Sequence, residues 1–102
     1  MTRRSRAFEI KYGDAAVQHL RDLDVRQRAL VLDTVPRQLT HQPTVPTRNR
    51  KLLRANPLAP WELRIGDLRV YFDVEAATVT IRAVGRKLRE KVLIGGVEVD
   101  LT

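Results

Sequence analysis

The stretch WELRIGDLRVYF, residues 61–72, decides the fold. Trp61, Leu63 and Ile65 alternate with polar residues, and after Gly66 and Asp67 the alternation resumes at Leu68, Val70 and Phe72. A period of two is the signature of half-buried strands, and a Gly-Asp pair between two such runs is turn chemistry. With a two-residue turn at Gly66–Asp67, Ile65 pairs with Leu68, Leu63 with Val70 and Trp61 with Phe72. A slip of one residue would send every one of these side chains to the opposite face, so the register is strongly specified. The same register sets Arg64 against Arg69 and Glu62 against Tyr71. Like charges opposed across strands destabilise a sheet, so the arginine pair calls for a reason.

Downstream, EAAT (75–78) reads as a connection and TVTIRAVG (78–85) as a third strand, with Val79, Ile81 and Ala83 inward and Arg82 outward. If Val74 pairs with Val79, Arg82 falls opposite Tyr71 and diagonal to Arg69, which gathers three arginines on one face. The basic run RKLREK (86–91) then reads as a solvated loop, and VLIGGVEVDL (92–101) as a small hairpin turning at Gly95 and Gly96.

Upstream, RAFEIKY alternates as a strand over about residues 6–12. Asp14 suits an N-cap, followed by Val17, Leu20 and Leu23 at helical spacing. Asp24 and Gln27 form a capping box that starts a second helix, whose apolar stripe is Val25, Ala29, Leu32 and Leu39. Pro36 is expected to kink or break that helix near Val35. The two helices make an αα-hairpin, and the expected core sets Trp61, Leu63, Val70, Phe72 and Ile81 against Val17, Leu20, Ala29 and Leu32. Prolines at 43, 46, 57 and 60 make the intervening segment a surface connection, with a short edge strand at Leu52 and Leu53.

The chain of 102 residues suits one α+β domain, residues 1–102, with a small core and no deep cavity. A formal net charge of +7 favours polyanionic partners. With no cysteine in the chain, disulfides, thiolate ligands and thiol nucleophiles are excluded. Met1–Arg6 is basic without a following apolar region, and no run of apolar residues is long enough to span a bilayer, so a cytoplasmic protein without membrane contact is expected. His19 and His41 have no second ligand at metal spacing, and there is no Gly-rich phosphate loop, nucleophile elbow or paired-carboxylate motif. Neither a metal nor a cofactor is expected.

Charge position is therefore the functional signal. Arg64, Arg69 and Arg82 on one sheet face, the run Arg48, Arg50, Lys51 and Arg54, and the run Arg86, Lys87, Arg89 and Lys91 make candidate phosphate contacts. Glu62 and Asp73 are the carboxylates that could neutralise the arginines instead. Trp61 reads as core, and Tyr71 could stack on a base.

NRKLLRANPLAPWELRIGDLRVYFDV (49–74) and VTIRAVGRK (79–87) resemble the RelE/ParE superfamily of toxins from bacterial toxin–antitoxin modules, and the resemblance extends over nearly the whole chain. It implies an N-terminal strand and a helical hairpin packed on a twisted, mostly antiparallel sheet. It also implies an acidic antitoxin partner, and through that partner possible contact with operator DNA. RelE-like members imply metal-free cleavage of mRNA in the ribosomal A site, and ParE-like members imply inhibition of DNA gyrase. A degenerate toxin that acts only within the antitoxin complex is the third reading.

By position, the resemblance sets Arg64 and Arg69 at basic residues of the RelE active site, and Lys87 near the basic position that follows the glycine at 85. On that resemblance Arg64, Arg69 and Lys87 are catalytic, and Lys87 or Glu62 is the candidate base. Arg48, Arg50, Lys51, Arg54, Tyr71, Arg82, Arg86 and Arg89 are the residues expected to contact nucleic acid. The sequence departs from the RelE pattern at Glu62, where lysine is expected, and at Leu93, where a catalytic tyrosine is expected.

Overall fold

The structure, a computed structural model, describes residues 6–99. Residues 1–5 of the basic start, and residues 100 and 101 of the expected C-terminal hairpin, lie outside them. The element order is β1 (Glu9–Tyr12), α1 (Asp14–Asp22), α2 (Val25–Leu39), β2 (Arg50–Leu52), β3 (Trp61–Ile65), β4 (Leu68–Glu75), β5 (Thr78–Leu88), β6 (Lys91–Ile94) and β7 (Val97–Val99).

The central hairpin forms in the register its alternation dictates. Trp61 pairs with Phe72, Leu63 with Val70 and Ile65 with Leu68, while Arg64 faces Arg69 and Glu62 faces Tyr71. Gly66 holds φ +59° at the first turn position, a conformation that costs an L side chain free energy and glycine none. The Trp61 and Phe72 rings stack 6.0 Å apart, anchoring the open end of the hairpin.

The sheet runs β2-β3-β4-β5-β6-β7 with antiparallel neighbours, and β1 joins it parallel to β5. The length of β5 makes this possible. Its first residues, Thr78 to Ile81, pair with β1, and its last, Gly85 to Leu88, pair with β6, so both partners share one edge of the strand. The parallel partnership needs a long crossover, which α1, α2 and the following connections supply.

A bulge in β5 alters the expected pairing of Arg82 and the expected faces of Ala83 and Val84. Phe72 pairs with Ile81 but Tyr71 pairs with Ala83, leaving Arg82 as the extra residue. Arg82 is therefore not opposite Tyr71. The inserted residue also reverses the alternation, so Val84 instead of Ala83 joins Val79 and Ile81 beneath the helices. Ala83 turns to the other face beside Tyr71.

The helices cover one side of the sheet. α1 has Gly13 as its N-cap, with Asp14 as its first residue, and buries Ala16 and Leu20, with Leu23 partly buried beside them. α2 opens on the expected capping box, in which Gln27 N–H donates to Asp24 Oδ1 at 2.7 Å and Asp24 N–H to Gln27 Oε1 at 3.3 Å. Its buried row is Val31, Val35 and Leu39, spaced i, i+4, i+8. The expected row was wrong at its start: Val25 and Ala29 are exposed, and Leu32 remains 46% exposed at the margin of the contact. Pro36 does not end the helix, which continues to Leu39. A proline inside a helix forfeits one backbone hydrogen bond, and the burial of Val35 and Leu39 on either side of it offsets that loss.

The expected edge strand forms two residues early, as β2. The basic segment 86–91 is not a loop, because β5 extends through Leu88 and turns at Arg89, φ +60°, into β6. Gly85 is required where these strands meet: a Cβ there would lie 2.7 Å from Ile94 Cγ1 and closer still to the Leu93 carbonyl. Among the described residues no helix is long and apolar enough to cross a membrane.

Candidate nucleic-acid interface

The face of the sheet away from the helices carries the residues that alternate with the core. Arg64 of β3 and Arg69 of β4 are directly opposed, and Arg69 in turn pairs with Gly85 of β5. Two residues beyond Gly85 on the same side is Lys87, whose backbone N–H donates to Asp67 O at 2.7 Å and ties β5 to the hairpin turn. Arg64, Arg69 and Lys87 thus share the turn end of one face, Lys87 because the bulge in β5 shifts the alternation by one residue.

The two arginines are held apart by different partners. Arg69 is only 7% exposed, and its Nη1 donates to Gly66 O at 2.7 Å and Leu68 O at 2.9 Å, so its guanidinium folds back over the hairpin turn. Arg64 is exposed and lies 3.4 Å from Glu62 Oε1, which also lies 3.9 Å from Lys51 Nζ. Carbonyl dipoles take one guanidinium and a buried carboxylate takes the other. That arrangement resolves the like-charge pairing within the protein itself, without requiring an anion between the two.

The remaining candidates divide. Lys51, Arg48, Arg54, Lys87 and Arg89 are exposed. Arg82 is exposed and pairs with Asp73 at 3.6 Å. Two candidates are corrected by burial. Arg50 is 5% exposed and donates to Gln42 O at 2.6 Å, Val45 O at 3.0 Å and Gln38 O, stapling the proline-rich connection to the end of α2. Burial pulls its pKa down, and the three carbonyls stabilise the enclosed guanidinium charge. Tyr71 is fully buried in a second small core with Ala59, Ala83, Val92 and Ile94, under Leu53 and Leu58, so it offers no stacking surface. Its hydroxyl has no hydrogen-bond partner, and burial, reinforced by the nearby Glu62 carboxylate, raises its pKa.

Arg86 separates from its neighbours. It pairs with Leu68, a residue of the helix-side core, and so lies on the opposite face of β5 from Lys87. There it borders a cleft with His19, Asp22, Gln27, Gly95 and Gly96. His19 has a role that its sequence position does not signal. Its Nδ1 accepts from Val84 N–H at 3.2 Å, at the point on the β5 edge where β1 has ended and β6 has yet to begin. Among the described residues no three His, Asp or Glu side chains gather where they could hold a metal ion.

The outer face thus presents exposed cations, Arg64, Lys87 and Lys51, around a buried one, Arg69. Such a set can bind and polarise a phosphodiester; its carboxylate, Glu62, is already engaged by two of the cations.

No protein-family model matches the chain, and no curated protein matches it. Among solved structures, a chain of the toxin–antitoxin complex RelBE2 from Mycobacterium tuberculosis matches with a TM-score of 0.71 at 22% identity, over 84% of this chain and 98% of that one. The likeness is one of fold: two helices on a mostly antiparallel sheet in the RelE-like α+β arrangement.

Proposed function

We propose that this protein is the toxin of a toxin–antitoxin pair and that it inhibits translation by cleaving mRNA on the ribosome. The observation that carries the reading is that Arg64, Arg69 and Lys87 lie together on the face of a RelE-like fold away from the helices. Cleavage without metal uses the RNA 2′-hydroxyl as nucleophile against the adjacent phosphate, and the protein must stabilise the charge that grows on the phosphorane. Arg64 and Lys87, exposed, reach the phosphate. Arg69, pinned to the turn carbonyls, is a positioning charge that keeps the local potential positive without needing to move. Lys51, Arg48 and Arg54 extend the surface along the strand of RNA. With a net charge of +7, the partner that restrains such a protein is an acidic antitoxin, which could also carry it to operator DNA. Ribosomes place the action in the cytoplasm.

The test is primer extension on ribosome-bound mRNA with the wild type and the double variant Arg64→Ala, Lys87→Ala. Loss of two oriented charges should lower cleavage by roughly 10² to 10³ while leaving the melting temperature nearly unchanged. Undiminished cleavage by the double variant rejects the site. If the wild type cleaves nothing, and DNA supercoiling by gyrase is inhibited instead, the ParE-like reading replaces this one.

A further inference from the structure

The cleft beside Arg86 is a second polar site, on the helix side of the sheet and separate from the Arg64 face. It has a volume of about 360 Å³ and opens between α1, the start of α2 and the Gly95–Gly96 turn. The hydrogen bonds around it fix what each side chain presents. Because His19 Nδ1 accepts from Val84 N–H, the neutral ring carries its proton on Nε2. Because Gln27 Oε1 accepts from Asp24 N–H in the capping box, the Gln27 amide presents its NH2 group. Arg86 adds a guanidinium and, among the described residues, takes part in no ion pair. Asp22 is the one carboxylate in the lining.

That is three donors and one acceptor, a set that suits an anion bearing hydroxyl groups and not a bare anion. A glycine keeps it open: a methyl at Gly95 would lie 3.5 Å from both Asp22 Oδ2 and His19 Cδ2, in the space between them. Leu23 and Leu93 give apolar walls.

We propose that this cleft binds a ribonucleotide. Arg86 and the Gln27 amide take the phosphate, one ribose hydroxyl donates to Asp22 while accepting from His19 Nε2–H, and the base lies against Leu23 and Leu93. Carboxylates recognise the ribose 2′-hydroxyl in nucleotide sites generally, so the cleft distinguishes ribose from deoxyribose. The assignment does not depend on cleavage, since neither Arg64 nor Lys87 lines the cleft.

The experiment follows backbone amide shifts of Val84, Gly95 and Gly96 in the ¹⁵N-labelled full chain. The probes are adenosine 5′-monophosphate, its 2′-deoxy counterpart, inorganic phosphate and a short single-stranded oligoadenylate. Adenosine monophosphate should give saturable shifts, with the deoxynucleotide weaker by about tenfold or more, the loss expected for a hydrogen bond to a charged group. Asp22→Ala should abolish that preference and leave phosphate binding, whereas Arg86→Gln should weaken every probe; both variants should retain the wild-type spectrum elsewhere. Tighter binding of the oligomer than of the mononucleotide supports the site and assigns it to an RNA strand, and the reverse supports it as a site for a free nucleotide. Equal shifts from all probes, no saturable shift, or shifts that persist in both variants overturn the assignment.

Discussion

On the helix side, β3 and β4 contribute Trp61, Leu63, Ile65, Leu68, Val70 and Phe72; on the outer side the residues between them contribute Glu62, Arg64, Arg69 and Tyr71. The two sets alternate along the same strands, yet burial treats them differently. On the helix side it follows apolarity, and two helices supply the cover. On the outer side Glu62, Arg69 and Tyr71 are as buried as many core residues, Tyr71 beneath the 53–60 segment and β6 and Arg69 folded back over the hairpin turn, while Arg64 stays in solvent. Stability on the first face comes from removing apolar surface from water. On the second it depends on whether each enclosed polar group finds a partner.

The largest test of this contrast lies on the helix side. Phe72→Ala removes a fully buried ring stacked on Trp61 and should cost about 3 to 5 kcal/mol, a large part of the stability of a domain this size, measured by chemical denaturation. An intermediate effect should separate the paired arginines. Arg69→Ala deprives two carbonyls of their donor and should destabilise by roughly 1 to 3 kcal/mol, whereas Arg64→Ala, which removes an exposed guanidinium and leaves Lys51 beside the buried Glu62 carboxylate, should stay within about 1 kcal/mol. If Arg69→Ala proved stabilising instead, like-charge repulsion would outweigh the turn hydrogen bonds and the account of this face would fail.

A smaller effect depends on pH. Burial lowers the His19 pKa below its ordinary 6.5 against the opposing pull of Asp22, and Arg86 on β5 borders the same cleft. The unfolded chain then binds the proton more readily, so His19 lowers stability as pH falls below about 6.5 and through the folded-state pKa. Protonation at Nδ1 also removes the acceptor for Val84 N–H. His19→Gln should flatten that part of the melting-temperature profile, and an identical acid profile in the variant would discount the histidine. The smallest change, Tyr71→Phe, should be neutral or stabilising by up to about 1 kcal/mol, because it deletes an enclosed hydroxyl that has no partner. A clear loss of stability there would reveal a hydrogen bond from Tyr71 to Glu62.

Much of this molecule was determined by the sequence alone. Alternation and a Gly-Asp turn set the register of β3 and β4 residue by residue, because a slip would have exposed an entire apolar face. The capping box at Asp24 fixed the start of α2 for an equally local reason, since both its hydrogen bonds lie within one helical turn. What only the tertiary structure decided involves partners remote in the chain. The bulge at Arg82 exchanges Ala83 for Val84 inside the core because β5 must serve different neighbours along its length. Arg50 is enclosed because the connection it belongs to folds back over α2. His19 meets Val84 across 65 residues. Charge pattern marked Arg50, Arg64, Arg69 and Arg86 alike as cations, but each group's surroundings set its accessibility. Those surroundings depend on the packing of several elements, which no local pattern encodes.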